Sequence, residues 1–225
     1  MEYTYPISGR DWIKKFDPNK RILSGQAYLF AKRIFDLVIV LIAMPIWLPA
    51  IALLALLIWI TSPGASPFYS QERTGKGGRR FQMLKFRTMV PNADALKEQY
   101  SHLNELQWPD FKITNDPRVT KIGRILRKTS LDELPQLFNI LNGEMSLVGP
   151  RPTSFGAETY QLWQTERLDV VPGMTGLWQV FGRAQLEFDD RLRLDIAYIE
   201  RASLWLDINL LIQTVIAVFK QRGAV

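Results

Sequence analysis

The chain contains no cysteine, which removes disulfides, thiolate nucleophiles and Cys-based zinc sites. It contains a single histidine, His102, so Ser-His-Asp triads and multi-histidine metal sites are excluded as well. Chemistry therefore falls to carboxylates, arginine, lysine and hydroxyls, with room for an oxygen-liganded metal such as Mg2+. Acidic residues are the scarcer charge, 22 against 28 Lys and Arg, and the resulting +6 suits anionic partners such as lipid headgroups, nucleotides or nucleic acid. There is no internal repeat and no low-complexity tract. A chain of 225 residues, 47% apolar, buries one core of ordinary size and leaves one apolar segment over.

That segment, residues 37–60, lacks any charged side chain. As a straight helix it would measure roughly 36 Å, enough to span a bilayer. It reads as an internal element rather than a cleaved signal, because Asp11 and Asp17 precede it and no small-residue cleavage pattern follows. Pro45 and Pro49 sit in its middle, where each withholds a backbone donor and crowds the preceding turn, so a bend is expected. Basic residues flank both ends, Lys32 and Arg33 before it and Arg73, Lys76, Arg79 and Arg80 after it. A crossing helix leaves its Lys/Arg excess on one side, so this pattern favours a re-entrant helix-break-helix hairpin with both ends in the cytoplasm. A Pro-kinked single crossing is the alternative, and the residues alone leave the two nearly balanced. Upstream, residues 25–35 interleave Tyr28, Leu29, Phe30 and Ile34 with Lys32 and Arg33, as a membrane-surface lead-in would. The expected organisation is an N-terminal extension (1–31), a membrane hairpin (32–62) and one catalytic domain (63–225).

The remainder predicts an α/β, predominantly helical domain. Residues 67–71 are a short extended run, GKGG (75–78) a turn without phosphate-loop spacing, and FQMLKFRTM (81–89) a strand. Residues 92–106 predict a polar helix with one narrow apolar stripe and His102 on its solvated side. Asn115-Asp116-Pro117 is expected to open a helix with Val119, Ile122, Ile125 and Leu126 facing a core and Lys121, Arg124, Arg127 and Lys128 forming a basic stripe. Residues 203–220 predict an apolar helix suited either to the core or to a membrane interface.

Three segments carry chemistry. Ser130 to Pro135, SLDELP, has the pattern of a capping box, Ser130 at the N-cap and Glu133 three residues on, with Gly143 as the helix stop. The same geometry would put two carboxylates at the positive end of a helix, where Asp132 is kept ionised and an incoming phosphate is favoured. Asp132 could attack phosphorus and Glu133 could hold Mg2+, with Arg127 across the turn reaching the phosphate. Gly149-Pro150-Arg151-Pro152 is a stiff turn presenting one guanidinium, and 171–183 is a Gly-rich stretch ending in Arg183, suited to a phosphate contact. Taken singly, each has an ordinary structural explanation: a helix cap, a surface turn, a β-turn.

Together they resemble the bacterial sugar transferase family, the monotopic phosphoglycosyl transferases. The resemblance is carried by KRIFD (32–36), LKFRTM (84–89), SLDELPQLFNILNGEMSLVGPRP (130–152), PGMTGLWQVFGR (172–183) and LDIAYI (194–199), in the family's order. It implies that Asp132 is the nucleophile of an Asp-Glu dyad and Glu133 its Mg2+ partner, that Lys85, Arg127 and Arg151 are the family's basic positions, and that a supporting acid is either Asp195 or Asp207. It further implies a ping-pong reaction that moves a sugar-1-phosphate from a UDP-sugar to undecaprenyl (polyprenyl) phosphate through an aspartyl phosphosugar and releases UMP, at the start of exopolysaccharide, O-antigen or glycoconjugate synthesis. The expected setting is the cytoplasmic face of a bacterial inner membrane, among membrane lipid, with no nucleic-acid partner and with homo-oligomerisation left open. The family's helix-breaking Ser-Pro falls on Leu48-Pro49, so the serine is missing here, and Pro45 is expected to reinforce the bend. The competing reading is a catalytically silent basic membrane adaptor, against which the carboxylate pair with Arg127 and Arg151 argues.

Overall fold

A computed structural model describes residues 16–17, 19, 21–105, 111, 113–181 and 186–219. The protein is mostly helical, with two small sheets and one long apolar helix near its start. Helix α1, Gly25–Thr61, carries both Pro45 and Pro49 inside it. The boundary expected between residues 31 and 32 therefore falls within one element. Pro45 cannot supply the N–H that Leu41 would accept from, and two residues on, the Trp47 indole N–H reaches back to the Val40 carbonyl at 2.8 Å. Among the described residues α1 is the one helix long and apolar enough to cross a membrane by length and composition.

One side of α1 is buried through Tyr28, Lys32, Asp36, Val40, Trp47, Ile51 and Ile58, at spacings of four and seven. The other side stays bare, with Ile42 75% and Ile46 78% exposed. Charged residues on the buried side hold the rest of the chain. Lys32 Nζ and the Tyr28 hydroxyl both donate to Asp207 Oδ2 at 3.0 Å, the Tyr198 hydroxyl donates to Oδ1 at 2.7 Å, and Ser146 donates to Asp36 at 2.6 Å. Arg33 donates to the carbonyls of Ile140 and Leu141, two of the acceptors a helix end leaves over.

Strands β1 (Phe68–Thr74) and β2 (Arg80–Phe86) form the expected antiparallel hairpin, with Phe68 opposite Phe86 and Thr74 opposite Arg80. Its turn uses positive φ at Gly77 and Gly78. Helix α2 (Lys121–Thr129) starts later than expected: Thr120, not Asn115 or Asp116, is its N-cap and accepts from the Gly123 N–H at 3.0 Å. Asp116 instead forms a buried pair with Arg118, Nη2 to Oδ2 2.7 Å. Of the helix expected over 92–106, the described residues 92–105 form turns and a single 3-10 turn, Ser101–Leu103, on which His102 is exposed as anticipated. Its narrow stripe offered too little apolar surface to bury.

Helix α3 (Gln136–Asn142) ends at Gly143 in the left-handed conformation, φ 82°. Strands β3 (Ser146–Val148) and β4 (Gly173–Thr175) pair in parallel, Ser146 opposite Gly173. They meet at glycines because nothing larger fits: a Cβ on Gly173 would lie 2.0 Å from the Gly149 nitrogen. Helices α4 (Leu177–Phe181), α5 (Phe188–Arg201) and α6 (Leu204–Phe219) complete the domain. Leu206 and Leu210 of α6 are fully buried, whereas Trp205 is 70% and Ile212 55% exposed, so α6 has both a core face and an outward apolar face.

Candidate active site

Asp132 and Glu133 lie in a 3-10 turn, Leu131–Glu133, between α2 and α3. The expected capping box is absent. Ser130 adopts φ 58° as the left-handed C-cap of α2, its N–H bonding back to Arg127 and Leu126, and its side chain caps nothing. α3 proper begins only after Pro135. The tight turn places the two carboxylates differently.

Glu133 is gripped from two elements. Lys85 Nζ of β2 lies 2.9 Å from Oε1, and the Arg151 guanidinium bonds both oxygens, Nη2 to Oε1 and Nη1 to Oε2 at 3.3 Å. The register of β2 that brings Lys85 here is locked by Asn139 of α3, whose side chain accepts from the Leu84 N–H at 2.9 Å and donates to the Gln82 carbonyl at 2.8 Å. Burial alone would push the Glu133 carboxyl up. Arg151 and Lys85 outweigh it and hold Glu133 well below the usual carboxylate range.

Asp132 accepts no hydrogen bond among the described residues and faces a cavity of about 1630 Å³ also lined by Lys85, Arg127, Glu133 and Arg151. Burial pushes its carboxyl up, Glu133 adds to this, and Lys85, Arg127 and Arg151 pull the other way. The balance is upward, so the helix-end field expected to keep it ionised does not dominate here. Arg127 is steadied by donating Nε to the Thr88 hydroxyl at 2.9 Å.

Five predicted positions, Lys85, Arg127, Asp132, Glu133 and Arg151, thus meet in one cavity. The two candidate acids separate. Asp195 lies behind Arg151, its Oδ2 accepting from Arg167 Nη2 at 2.7 Å, and burial pushes its carboxyl up to about 7 against the pull of Arg167. Asp207 belongs to the α1 foothold with Lys32 and Tyr28. Arg183 lies outside the described residues. The cavity residues not anticipated include Arg118, whose side chain also donates to the Ala93 carbonyl at 3.2 Å, and Thr88. Arg167 was missed as well, and QTERLDV carries no signal that distinguishes it from a surface arginine.

No group of three or more metal-ligating side chains occurs among the described residues. Asp132 and Glu133 nevertheless fit Mg2+, which commonly takes one or two carboxylates and leaves its other positions to substrate phosphates and water. Asp132, which accepts no hydrogen bond among the described residues and is disfavoured as an anion by burial and further by Glu133, is the oxygen donor such an ion would relieve.

The family model for bacterial sugar transferases matches residues 27–221. The chain belongs to that family. It is 44% identical over 97% of its length to the UDP-galactose-lipid carrier transferase of Erwinia amylovora, covering 48% of that protein. It is 43% identical over 90% of its length to the undecaprenyl-phosphate galactose phosphotransferase of Salmonella typhimurium, covering 43% of it. The exopolysaccharide production protein ExoY of Rhizobium meliloti is 40% identical over 86% of this chain and is itself covered to 88%. The chain thus spans about half the length of the first two of these curated relatives and most of the third.

Proposed function

We propose that this protein is a phosphoglycosyl transferase that moves a sugar-1-phosphate from a UDP-sugar to undecaprenyl phosphate at a membrane surface. The observation that carries the reading is the asymmetric dyad: Glu133 fixed as an anion between Lys85 and Arg151, and Asp132 beside it, open to a basic cavity.

An Asp132 oxygen attacks the sugar-bearing phosphorus, the bond from that phosphorus to the bridging oxygen breaks, and UMP departs with the electron pair. Arg127 and Arg151 flank the dyad, where they can carry the charge that builds on the diphosphate. In the second half, a phosphate oxygen of the polyprenyl phosphate attacks the same phosphorus. The acyl phosphate bond breaks, Asp132 returns as a carboxylate, and a polyprenyl diphosphate sugar leaves. The acceptor is already an anion, so neither half requires a general base. That agrees with a site that has no histidine. Asp132 and Glu133 are the residues that would hold Mg2+, which supplies charge neutralisation on the diphosphate.

The membrane part of the reading is a re-entrant α1. Its N-terminal turns are bonded to α6, β3 and α3, and the Ser62 carbonyl just past its end accepts from Arg87 of the same domain. A crossing helix would carry its ends to opposite faces of the bilayer. The outward apolar face of α6 would rest on the same surface and bring the cavity to the level of lipid phosphates, and the cytoplasmic side is the one on which a UDP-sugar donor is available. A silent adaptor would need neither the dyad nor its arginines.

Asp132→Asn is expected to lower UMP release by at least about 10³-fold in the presence of polyprenyl phosphate, UDP-galactose being the first donor to assay because two relatives are named for galactose. Turnover within tenfold of the parent chain would remove the covalent mechanism.

A further inference from the structure

The turn that presents Arg151 is unusual in what it lacks. Pro150 and Pro152 have no N–H, so the segment is held through its carbonyls, through Gly149 and Thr153, and through the Arg151 N–H, which faces Asp195. Gly173 N–H donates to the Pro150 carbonyl at 2.8 Å, and Thr74 N–H donates to the Thr153 carbonyl at 2.9 Å. Arg73 Nη1 approaches the Pro152 carbonyl at 3.5 Å. The carbonyl of Arg151 itself is bonded by the Nη2 of Arg167. That guanidinium is 5% exposed and does not line the cavity.

Arg167 is in turn fixed from two further sides. Its Nη2 donates to Asp195 Oδ2 of α5 at 2.7 Å, and its Nη1 donates to the Tyr160 hydroxyl at 3.2 Å. The Tyr160 hydroxyl is bonded to the Thr153 hydroxyl, so this branch returns to the same turn. Arg167 rides on the 3-10 segment Leu162–Leu168, and α5 packs against that segment. The connected series runs from Asp195 through Arg167 to the backbone of Arg151, and from the Arg151 side chain to Glu133.

We propose that Arg167 is a positioning residue: clamped by Asp195, it sets the base from which Arg151 reaches Glu133 and, on the function proposed above, the donor diphosphate. A buried ion pair that only filled the core would have no need to bond the carbonyl of a residue whose side chain grips the dyad. The pair also gives Asp195 a role that it cannot play directly, since it does not reach the cavity. Displacing a catalytic group by about 1 Å costs on the order of 10²-fold in rate.

The test is a pair of double-mutant cycles on the full chain in detergent, reading UMP release from UDP-galactose and thermal unfolding. Arg167→Lys, which keeps the charge but cannot span both acceptors, is expected to lower kcat about 10- to 100-fold. In an Arg151→Ala background the same change should cost less than about twofold, because the group it positions is gone. Equal fold losses in the two backgrounds would overturn the proposal. Should Arg167→Lys fail to fold, Asp195→Asn is read in the same cycle with the same two outcomes. The second cycle needs no activity. Arg167→Lys and Glu133→Gln, at residues that share no bond, should shift the unfolding midpoint by less together than the sum of their separate shifts. Additive shifts would remove the connection through Arg151. A parent chain that releases no UMP from any UDP-sugar, with this coupling intact, would sink the proposed reaction and leave the relay standing.

Discussion

Lys85 and Arg151 come to Glu133 from different elements, and neither has another carboxylate bonded to it among the described residues. Glu133 is therefore a structural anion as well as half of a dyad, and its depressed pKa makes a prediction about acid stability. The unfolded chain takes up this proton near pH 4.3 and the folded chain only at lower pH, so the contribution is complete above that value and is lost as the pH falls through the folded pKa. Glu133→Gln should cost about 2 kcal/mol at neutral pH, the cost of losing hydrogen bonds to charged groups. The gap to the parent chain, measured by urea unfolding, should narrow steadily below pH 4. A gap independent of pH would mean that the pairing contributes nothing to the fold. The polar composition of this site was legible in the sequence because Asp132, Glu133, Arg127 and Arg151 fall in short motifs. Its electrostatics were not, because the sequence placed Asp132 in the field of a helix end, whereas Ser130 turns left-handed and burial governs. Arg167 was invisible for a related reason. Its importance rests on one backbone carbonyl, and no residue pattern encodes that contact.

At the scale of elements, the position of Arg151 depends on how closely β3 and β4 approach. A methyl group on Gly173 would meet the Gly149 nitrogen at 2.0 Å and the Thr175 carbonyl at 2.6 Å, so the two strands would have to move apart. Gly149 lies two residues before Arg151, and the shift would carry through Pro150. Gly173→Ala is expected to cost about 1–3 kcal/mol in thermal unfolding, the usual range for overpacking, and to lower UMP release by more than the lost folded fraction accounts for. Activity falling only in step with folded protein would show that strand spacing and catalysis are uncoupled. Elements with strong local punctuation were predictable: the β1–β2 turn from its glycines, the end of α3 from Gly143, and β2 from its apolar run. Elements without it were not. At 115–121 the threonine cap displaced the Asn-Asp-Pro start because Asp116 found a stronger partner in Arg118. At 92–105 a largely polar stretch settled into turns.

For the whole molecule, the arrangement of α1 against the domain bears directly on topology. A straight helix of 37 residues would measure roughly 55 Å, and a crossing would put about 30 Å of hydrocarbon between its ends. Lys32 and Arg33 near one end and Ser62 beyond the other are nevertheless all bonded to the same folded unit. Three ionic or polar contacts at the N-terminal end, two buried ones to Asp207 and Ser146 and a partly buried one to the end of α3, would have to be given up to send that end across the membrane. Each would leave a buried charge or donor without its partner, at a cost of about 1–3 kcal/mol per group. The absence of cysteine makes the consequence measurable without a reference mutant. Ser24→Cys before α1 and Lys76→Cys after it both place a thiol at an exposed position. In sealed inverted membrane vesicles, a membrane-impermeant maleimide should label both from the outside, and in intact spheroplasts it should label neither. One thiol reacting in vesicles and the other in spheroplasts would establish a crossing. The contacts of Lys32 and Asp36 with the domain would then be absent from the inserted protein.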